Sequence, residues 1–266
     1  MSNLWAIIYG FIQGISEFLP VSSSGHLALL PKFFDVSDPG VVFDLVMHLG
    51  TALAVIIYYH KEIKQLILEL FEIVKSRSLA RGFFFQNFAL ATIVSFILIL
   101  IIKDFALMYG REGTFIGANL IFFGILMFLS DLKKEDDSIS LVENKNYFRA
   151  IVIGASQSFA IFPGVSRSGI TLTSARFMNL SRLEASRFSF LLSLPIILAS
   201  VAYKVPEIAS GVGIDVDLSV ILIGVISSFL FGIVTIHFFL KLISKMGLWI
   251  FTVYRIIIGL LVWYSL

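Results

Sequence analysis

Two short stretches of the chain combine proline with a cluster of serines and glycines. One runs Pro20-Val-Ser-Ser-Ser-Gly25, and the other runs Pro163-Gly-Val-Ser-Arg-Ser-Gly169. Serine is a preferred N-cap, so each stretch predicts that a new half-helix begins just beyond the break. The unpaired N–H groups and the positive dipole end of a helix N-terminus form a ready anion site. The two breaks therefore predict a site for phosphate or pyrophosphate, although a carboxylate would fit the same donors.

Arg167 lies inside the second break, and a purely structural role does not readily explain a charged residue at this position. Its guanidinium is permanently charged, and its forked donors suit bidentate phosphate binding. The competing interpretation is that Arg167 only pairs with the carboxylate of Glu17. Together with Arg167, the predicted phosphate-binding residues are Ser22, Ser24, Ser166, Ser168 and Gly169.

A hydroxyl, an imidazole and a carboxylate are close to the first break, in Ser23, His26 and Glu17. Ser23 with His26 as base, and with Glu17 as orienting group or metal ligand, has the parts of an activated nucleophile. A water activated by a metal on Glu17 would serve equally. The structural alternatives are that Ser23 only caps a helix and that His26 only hydrogen-bonds a neighbouring backbone carbonyl.

Two further pairs of polar residues have helical spacing. Gln13 and Glu17 are four residues apart and would share one helix face. Asp44 and His48 repeat this spacing on the next apolar stretch. We predict that Asp44 and His48 support the same site, with a simple pairing between the two as the alternative.

The composition places these residues in a membrane protein. Hydrophobic residues make up 58% of the 266 residues and charged residues 14%, whereas soluble domains are about 25% charged. Cysteine is absent, which excludes disulfides and cysteine nucleophiles. The formal net charge of +2 and the lack of a basic run give no indication of nucleic-acid binding. The start lacks a positively charged segment, so a cleavable signal peptide is not expected.

Six apolar stretches approach the ~20 residues that cross a bilayer core, at about 41–60, 83–102, 114–131, 187–203, 218–240 and 248–266. His237 and Arg255 fall near the ends of two of them and are predicted to reach the interface. The stretches 4–31 and 148–175 contain the two breaks, and proline leaves each half too short to cross. Such breaks need protein or water around them at membrane depth, which indicates re-entrant helix–turn–helix hairpins. The predicted fold is an all-α integral membrane protein with six transmembrane helices and two such hairpins.

The two broken stretches also resemble each other. A shift of 144 residues places 6–26 on 150–170 without a gap, with nine identities in 21 positions. This agreement favours an internal duplication over coincidence. We predict a single membrane domain, 1–266, that contains two repeats, at about 4–131 and 148–266. A cytoplasmic loop at 132–147 is predicted to join them.

Lysine and arginine are distributed unevenly among the predicted loops. Fourteen fall on one side, mainly in the loops 61–82 and 132–149, and four fall on the other side: Lys32, Lys103, Arg111 and Lys204. Because cytoplasmic loops carry the excess of these residues, both termini are predicted to lie on the outer side of the cell (inner or plasma) membrane. The two hairpins then enter from opposite faces, as an inverted-topology repeat requires.

These motifs resemble those of the undecaprenyl-pyrophosphate phosphatases of the bacitracin-resistance type. The matching residues are Gln13-Gly-Ile-Ser-Glu17-Phe-Leu-Pro-Val-Ser-Ser-Ser-Gly-His26, the second break, and the late Tyr254-Arg255. The resemblance implies hydrolysis of a polyprenyl diphosphate to the monophosphate and phosphate, which recycles the lipid carrier of cell-wall synthesis. It implies functional roles for Glu17, Ser23, His26 and Arg167. It also implies a divalent cation, Mg²⁺ or Ca²⁺, on Glu17 and more weakly on the uncharged Gln13.

Two other functions are compatible with the motifs. Inverted repeats with an anion site near the midplane are also transporter architecture, so a transporter or flippase for a phosphorylated lipid is the main alternative. A non-catalytic lipid-binding protein would explain Arg167 but would leave Ser23, His26 and Glu17 without a role. The prenyl length, the choice between serine and water as nucleophile, and the formation of a homodimer stay open at this point.

Overall fold

The computed structural model describes residues 2–34, 38–109, 112–209 and 217–265, and these residues form eleven α-helices and one short 3₁₀ turn. They contain no β-strand, so the predicted all-α class is confirmed. Arg111, which entered the charge count, lies outside the described residues. The helices are α1 (Asn3–Ser16), α2 (Ser23–Phe34), α3 (Val41–Tyr58), α4 (His60–Ser76), α5 (Phe83–Tyr109), α6 (Gly113–Asp131), α7 (Tyr147–Ser158), α8 (Arg167–Phe177), α9 (Arg182–Ala209), α10 (Leu218–Met246) and α11 (Trp249–Ser265), with the 3₁₀ turn at Phe159–Ile161.

Four helices of the described chain are long and apolar enough to cross a membrane, as judged by length and composition. They cover Phe83–Ala106, Gly113–Asp131, Arg182–Lys204 and Leu218–Met246 and match four of the six predicted spans. The helix α3 reaches this standard only when it is counted together with α4, and α11 is shorter. The chain is thus a multi-pass membrane protein, while the spans at 41–60 and 248–266 stay predictions. His237 is exposed on α10, as expected for a residue near a span end.

The segment after the first predicted span is a helix and not the loop that the sequence predicted at 61–82. The helix α4 begins at His60, with only Tyr59 between it and the end of α3, and the two axes differ by 79°. Lysine, glutamate, glutamine and leucine dominate its sequence, and all four are good helix formers. Arg77 ends the helix in the left-handed conformation (φ 51°), and a second positive φ at Gly82 (76°) turns the chain toward α5.

Each predicted break is found between two helices. Residues 17–22 separate α1 from α2, and residues 159–166 separate α7 from α8. Ser22 and Ser166, which the 144-residue shift aligns, both have a positive φ, of 76° and 71°. The Oγ atom of each accepts a hydrogen bond from the glycine three residues later, at 3.4 Å from Gly25 N and 3.2 Å from Gly169 N. The two breaks thus have the same local cap, in a conformation that only glycine adopts without strain.

Small residues allow α1 to pack closely against α10. A Cβ atom at Gly14 would lie 2.7 Å from the carbonyl oxygen of Ser228, and Gly10 meets the backbone of the same helix. Gly154, the residue aligned with Gly10, is confined in the same way by Ala91 of α5. Close backbone approach through small residues stabilises helix pairs in membranes. These contacts therefore hold the first helix of each hairpin against a long apolar helix.

Candidate functional site

A cavity of about 230 Å³ lies between the two breaks and the helices α3, α5 and α9. Its charged and amide groups come from the two hairpins and α3, while α5 and α9 contribute mainly isoleucine side chains. The polar groups of the hairpins therefore face an otherwise apolar space. The lining residues are Glu17, Ser23, Ser24, Leu45, His48, Ile99, Gln157, Ala160, Ile161, Ser166, Arg167, Ile196, Ile197 and Ser200.

The N-termini of two helices reach this cavity. The helix α2 begins at Ser23 and α8 begins at Arg167, and both residues line the cavity together with Ser24 and Ser166. The positive dipole ends of two helices thus lie at one cavity, beside a guanidinium. This arrangement is suited to an anion that carries more than one negative charge.

Glu17 is the centre of the polar contacts at the cavity. Its Oε2 atom accepts hydrogen bonds from Ser23 Oγ at 2.8 Å and from Gln13 Nε2 at 2.9 Å. Its Oε1 atom is in direct contact with Nη2 of Arg167, whose Nη1 atom donates to a backbone carbonyl of α9. The Nε2 atom of His48 lies 3.4 Å from the Oε2 atom. The carboxylate thus joins both hairpins and α3.

The structure separates the serine that caps α2 from the serine that faces the cavity. Ser22 is the cap, because its Oγ atom accepts from Gly25 N and its carbonyl accepts from His26 N at 3.2 Å. Ser23 instead donates its hydroxyl to Glu17. A hydroxyl bonded to a carboxylate has the geometry of a nucleophile and its base. The interpretation of Ser23 as a mere cap is therefore not supported.

His26 is held away from Ser23 by two contacts of its own. Its Nδ1 atom lies 2.8 Å from the carbonyl oxygen of Ser22, and its Nε2 atom lies 2.6 Å from the hydroxyl of Tyr254. Since a carbonyl only accepts, Nδ1 carries the proton and Nε2 accepts from the tyrosine. The two rings are stacked with centroids 5.7 Å apart, beside a second, apolar pocket near α11. The structure thus contains the backbone hydrogen bond that was the alternative for His26, and it does not bring the imidazole to Ser23.

His48 contacts Asp44 through the backbone and not through the side-chain pair that was one expectation for them. The Nδ1 atom of His48 lies 2.7 Å from the carbonyl oxygen of Asp44. Nδ1 therefore donates, and Nε2 presents its lone pair toward Glu17. His48 lines the cavity whereas Asp44 does not, and the backbone carbonyl of Asp44 orients His48.

Arg255 is fully buried, so the prediction that it reaches the membrane interface is wrong. Its Nη1 atom donates to the carbonyl of Pro20 at 3.1 Å, and its Nη2 atom donates to the carbonyl of Gly164 at 2.8 Å. It also donates to the carbonyls of Val165 at 3.0 Å and of Leu120, on α6, at 3.1 Å. A break leaves backbone carbonyls without helical partners, and buried carbonyls need donors. One guanidinium from α11 therefore ties the two breaks to each other and to α6.

Three of the predicted phosphate ligands lie behind the cavity. The backbone N–H of Gly169 donates to Ser166 Oγ, and Ser168 Oγ donates to the carbonyl of Leu19 at 3.3 Å, across to the other hairpin. Ser22 is engaged as the cap of α2. Ser22, Ser168 and Gly169 do not line the cavity, and their polar groups take part in capping or in the contact between hairpins. The structure leaves Ser24, Ser166 and Arg167 at the cavity.

Gln157 is a cavity residue that was not among the predicted site residues. It is aligned with Gln13 by the 144-residue shift, and its Nε2 atom donates to Ser95 Oγ at 3.0 Å. The Oε1 atoms of both glutamines are buried and have no hydrogen-bond partner among the described residues. The internal repeat carried the signal for Gln157, because it aligned the two glutamines.

Glu17 lines the cavity and can offer a carboxylate to the divalent cation that the resemblance implies, whereas Gln13 lies behind Glu17 and does not line the cavity. The described part of the chain has no group of three or more histidine, aspartate or glutamate side chains that could hold a metal ion. Glu17 and the Oε1 atom of Gln13 offer oxygens on adjacent side chains. Mg²⁺ takes oxygen ligands and commonly uses one or two carboxylates, substrate phosphates and water. These residues can therefore supply part of such a coordination sphere.

Known proteins resemble this chain over nearly its whole length. Residues 6–261 match the family model described as bacitracin resistance protein BacA. The chain is 38% identical over 261 residues to a protein named undecaprenyl-diphosphatase from Marinobacter nauticus, which covers 97% of each chain. It is also 38% identical over 260 residues, again 97% of each chain, to undecaprenyl-diphosphatase 1 from Pseudoalteromonas translucida. The matched range includes both breaks and Arg255.

Proposed function

Because the chain belongs to the family of the bacitracin resistance protein BacA, we propose that it is a phosphatase that hydrolyses undecaprenyl diphosphate, or a similar polyprenyl diphosphate, to the monophosphate and phosphate. The observation that carries this proposal is the hydrogen bond from Ser23 to Glu17 at the start of α2, opposite Arg167 at the start of α8. A nucleophile, a base and an anion-binding group thus meet in one cavity. A transporter for the same lipid needs the anion-binding group and has no need of the other two.

The cavity has room for the diphosphate head of such a lipid and not for its tail. Pockets that enclose drug-sized ligands take roughly 300–1,000 Å³, whereas this cavity takes about 230 Å³. The head would lie between the N-termini of α2 and α8, with the fork of Arg167 on the terminal phosphate. Phosphate oxygens would then replace Glu17 as the partner of Arg167, which frees the carboxylate to act as a base.

Ser23 is the proposed nucleophile of the first step. Its Oγ atom attacks the terminal phosphorus while Glu17 accepts the hydroxyl proton along the 2.8 Å hydrogen bond. The bond from this phosphorus to the bridging oxygen breaks, and the polyprenyl monophosphate leaves with the proton that Glu17 returns. Arg167 and the two helix N-termini stabilise the charge of the phosphoryl group during transfer.

Water completes the proposed cycle. Glu17 accepts a proton from a water molecule that attacks the phosphate ester on Ser23. The bond from phosphorus to Oγ breaks, the serine recovers a proton from Glu17, and phosphate is released. In the alternative on the same residues, water attacks the lipid diphosphate directly and Ser23 only orients Glu17 through their hydrogen bond.

Three residues around Glu17 have supporting roles in this proposal. Gln13 donates to the carboxylate at 2.9 Å, and His48, which the Asp44 backbone orients, approaches it from α3. Glu17 and Gln13 would hold a divalent cation, Mg²⁺ or Ca²⁺, whose charge neutralises phosphate oxygens. His26 is a positioning residue here, because it binds the carbonyl of Ser22 next to the nucleophile.

The proposed membrane arrangement has six spans and two re-entrant hairpins in an inverted repeat, with both termini outside. The cavity lining includes Leu45 in the half of α3 toward its start, Ile99 in the half of α5 toward its end and Ser200 in the half of α9 toward its end. The excess of Lys and Arg in 61–82 and 132–149 assigns these helix ends to the outer side. The site would thus open outward, where it recycles the lipid carrier of peptidoglycan synthesis and confers bacitracin resistance.

A phosphate-release assay tests the activity. Purified protein in detergent, given a polyprenyl diphosphate and Mg²⁺ or Ca²⁺, should release one phosphate per lipid without ATP or an ion gradient. A matched preparation of Glu17→Gln should be nearly inactive, because the base is lost. Movement of intact substrate across vesicles without phosphate release would replace the phosphatase with the transporter.

A further inference from the structure

The helix α4 changes the direction of the chain by 79° directly after α3, with Tyr59 between them. If α3 crosses the membrane, a bend close to a right angle places α4 along the membrane plane. The bend contains Tyr58 and Tyr59, and tyrosine is enriched where a membrane meets water. The predicted span 41–60 also ends here, which puts the bend at the membrane surface, and Tyr59 itself is buried in the core.

The apolar face of α4 extends beyond the part of the helix that packs against the rest of the protein. Leu66 is 8% exposed and packs into the core. Ile67, Phe71 and Val74, which follow at helical spacing on the adjoining face, are 50%, 66% and 67% exposed. A helix with one strongly polar face and an exposed apolar face is typical of a segment that lies in the membrane interface.

The polar face of α4 and the turn after it are basic. Of the three glutamates in the helix, Glu62 lies 3.6 Å from Arg187, and Glu69 accepts from the backbone N–H of Phe85 at 2.9 Å. Only Glu72 is exposed among the three. The exposed basic residues of this segment outnumber it, and they are Lys61, Lys64, Lys75, Arg77 and Arg81.

We propose that α4 binds the headgroups of anionic phospholipids, with Ile67, Phe71 and Val74 in the acyl boundary and the basic residues on the lipid phosphates. Lys64 and Lys75 occupy the helical positions next to Phe71, so an ammonium group can reach a headgroup while its stem covers the apolar face. Anionic lipid complements this charge, whereas zwitterionic lipid supplies no net charge. The site is separate from the proposed phosphatase cavity, because α4 contributes no residue to its lining.

Single cysteines test this proposal cleanly, because the chain has no cysteine of its own. Phe71→Cys and Glu72→Cys occupy neighbouring exposed positions on the apolar and polar faces. Each variant is labelled with an environment-sensitive fluorophore and reconstituted in bilayer nanodiscs. Brominated lipid should quench the label at 71 and leave the label at 72 accessible to aqueous iodide.

Lipid selectivity is measured on the same label at position 71. A basic side chain near an anionic surface is worth about a fivefold factor in partitioning, so trace brominated phosphatidylglycerol should quench about fivefold more than brominated phosphatidylcholine at the same mole fraction. Lys64→Gln with Lys75→Gln should lower this ratio, and the remaining Lys61, Arg77 and Arg81 should keep it above one. The matched control, Lys241→Gln with Lys245→Gln, removes two exposed lysines from the end of α10 and should leave the ratio unchanged.

Three outcomes would overturn the proposal. Equal iodide access at 71 and 72 would show that α4 does not lie in the interface. An unchanged lipid ratio in the Lys64 and Lys75 variant would remove the charge argument. Protection of position 71 in native membranes, but not in nanodiscs of pure lipid, would point to a protein partner. Phosphate release by each variant reports separately on folding and on the activity of the cavity.

Discussion

Ser23 donates its hydroxyl proton to Oε2 of Glu17 at 2.8 Å, across the break between α1 and α2. Glu17 is the C-cap residue that directly follows α1, and Ser23 is the first residue of α2. The intervening turn closes on itself and brings the end of one half-helix to the start of the next. The pairing of Ser23 with Glu17 is therefore a property of the break, whose turn includes the strained cap at Ser22.

Ser23→Ala should reduce phosphate release to near background if Ser23 is the nucleophile. The matched control is Ser24→Ala, which removes a hydroxyl from the next residue at the same cavity and should cost less. Rapid acid quench of the wild-type reaction with radiolabelled substrate should trap phosphate on Ser23. Partial activity in Ser23→Ala, combined with complete loss in Glu17→Ala, would favour attack by water.

Replacement of His26 distinguishes a positioning residue from a general base. His26→Asn keeps a donor for the carbonyl of Ser22 and should retain activity within about tenfold, the scale of one lost hydrogen bond. If His26 were the general base, its loss in any such variant would reduce the rate about 10²–10⁴-fold. Tyr254→Phe should also have a small effect, since only the bond to Nε2 is lost. The pH dependence of kcat/KM should keep its acidic limb in His26→Asn, and loss of that limb would restore His26 as the base.

Arg167→Lys should reduce turnover strongly without unfolding the protein. The variant keeps the positive charge and loses the planar fork that suits a phosphate group. The measurement is kcat and KM for phosphate release, with thermal unfolding of the detergent-solubilised protein as the control. Activity close to that of the wild type would mean that charge alone, and not bidentate geometry, binds the substrate.

Arg255→Leu should destabilise the protein far more than the same substitution of an exposed arginine. Each buried carbonyl that loses its donor costs about 1–3 kcal/mol, and Arg255 serves the carbonyls of both breaks. The unfolding midpoint should fall by at least about 5 °C, at roughly 2–4 °C per kcal/mol. Arg81→Leu, at an exposed position, is the matched control and should change little. An equal effect in the two variants would refute this role.

Single cysteines at Ser76, Ser138 and Asp217 test the proposed orientation. All three positions are exposed in the structure. An impermeant thiol reagent applied to intact cells should label only position 217, because the basic loops are assigned to the cytoplasm. Labelling of all three positions after the cells are opened provides the control. Labelling at 76 or 138 in intact cells would invert the topology.

The sequence predicted those parts of the site that depend on local geometry. The breaks, the caps and the proximity of Glu17 to Ser23 all involve residues that are at most six positions apart along the chain. Helix spacing also placed Gln13 beside Glu17, which the structure confirms. Even so, spacing suggested that His26, three residues after Ser23, faces it, and the ring turns the other way.

The contacts that sequence reasoning missed join residues far apart along the chain. His26 binds Tyr254 across 228 positions, and Arg255 binds Pro20 across 235. The periodicity of apolar residues along a helix contains no information about such distant pairs. An arginine near the end of an apolar helix usually reaches the membrane interface. The burial of Arg255 results from the packing of α11 against both breaks, which the sequence does not reveal. The same limit applies to α4, because charge counting cannot separate a basic loop from a basic amphipathic helix.

The small volume of the cavity bears on which lipids the protein can select. Under the proposed function, a space of about 230 Å³ would hold the diphosphate head alone, so the length of the prenyl chain would not be measured there. Short-chain and long-chain prenyl diphosphates should then share a similar kcat and differ in KM, since the bilayer concentrates the longer chains. Partitioning into the membrane would then select among prenyl chains, and the protein would select among head groups.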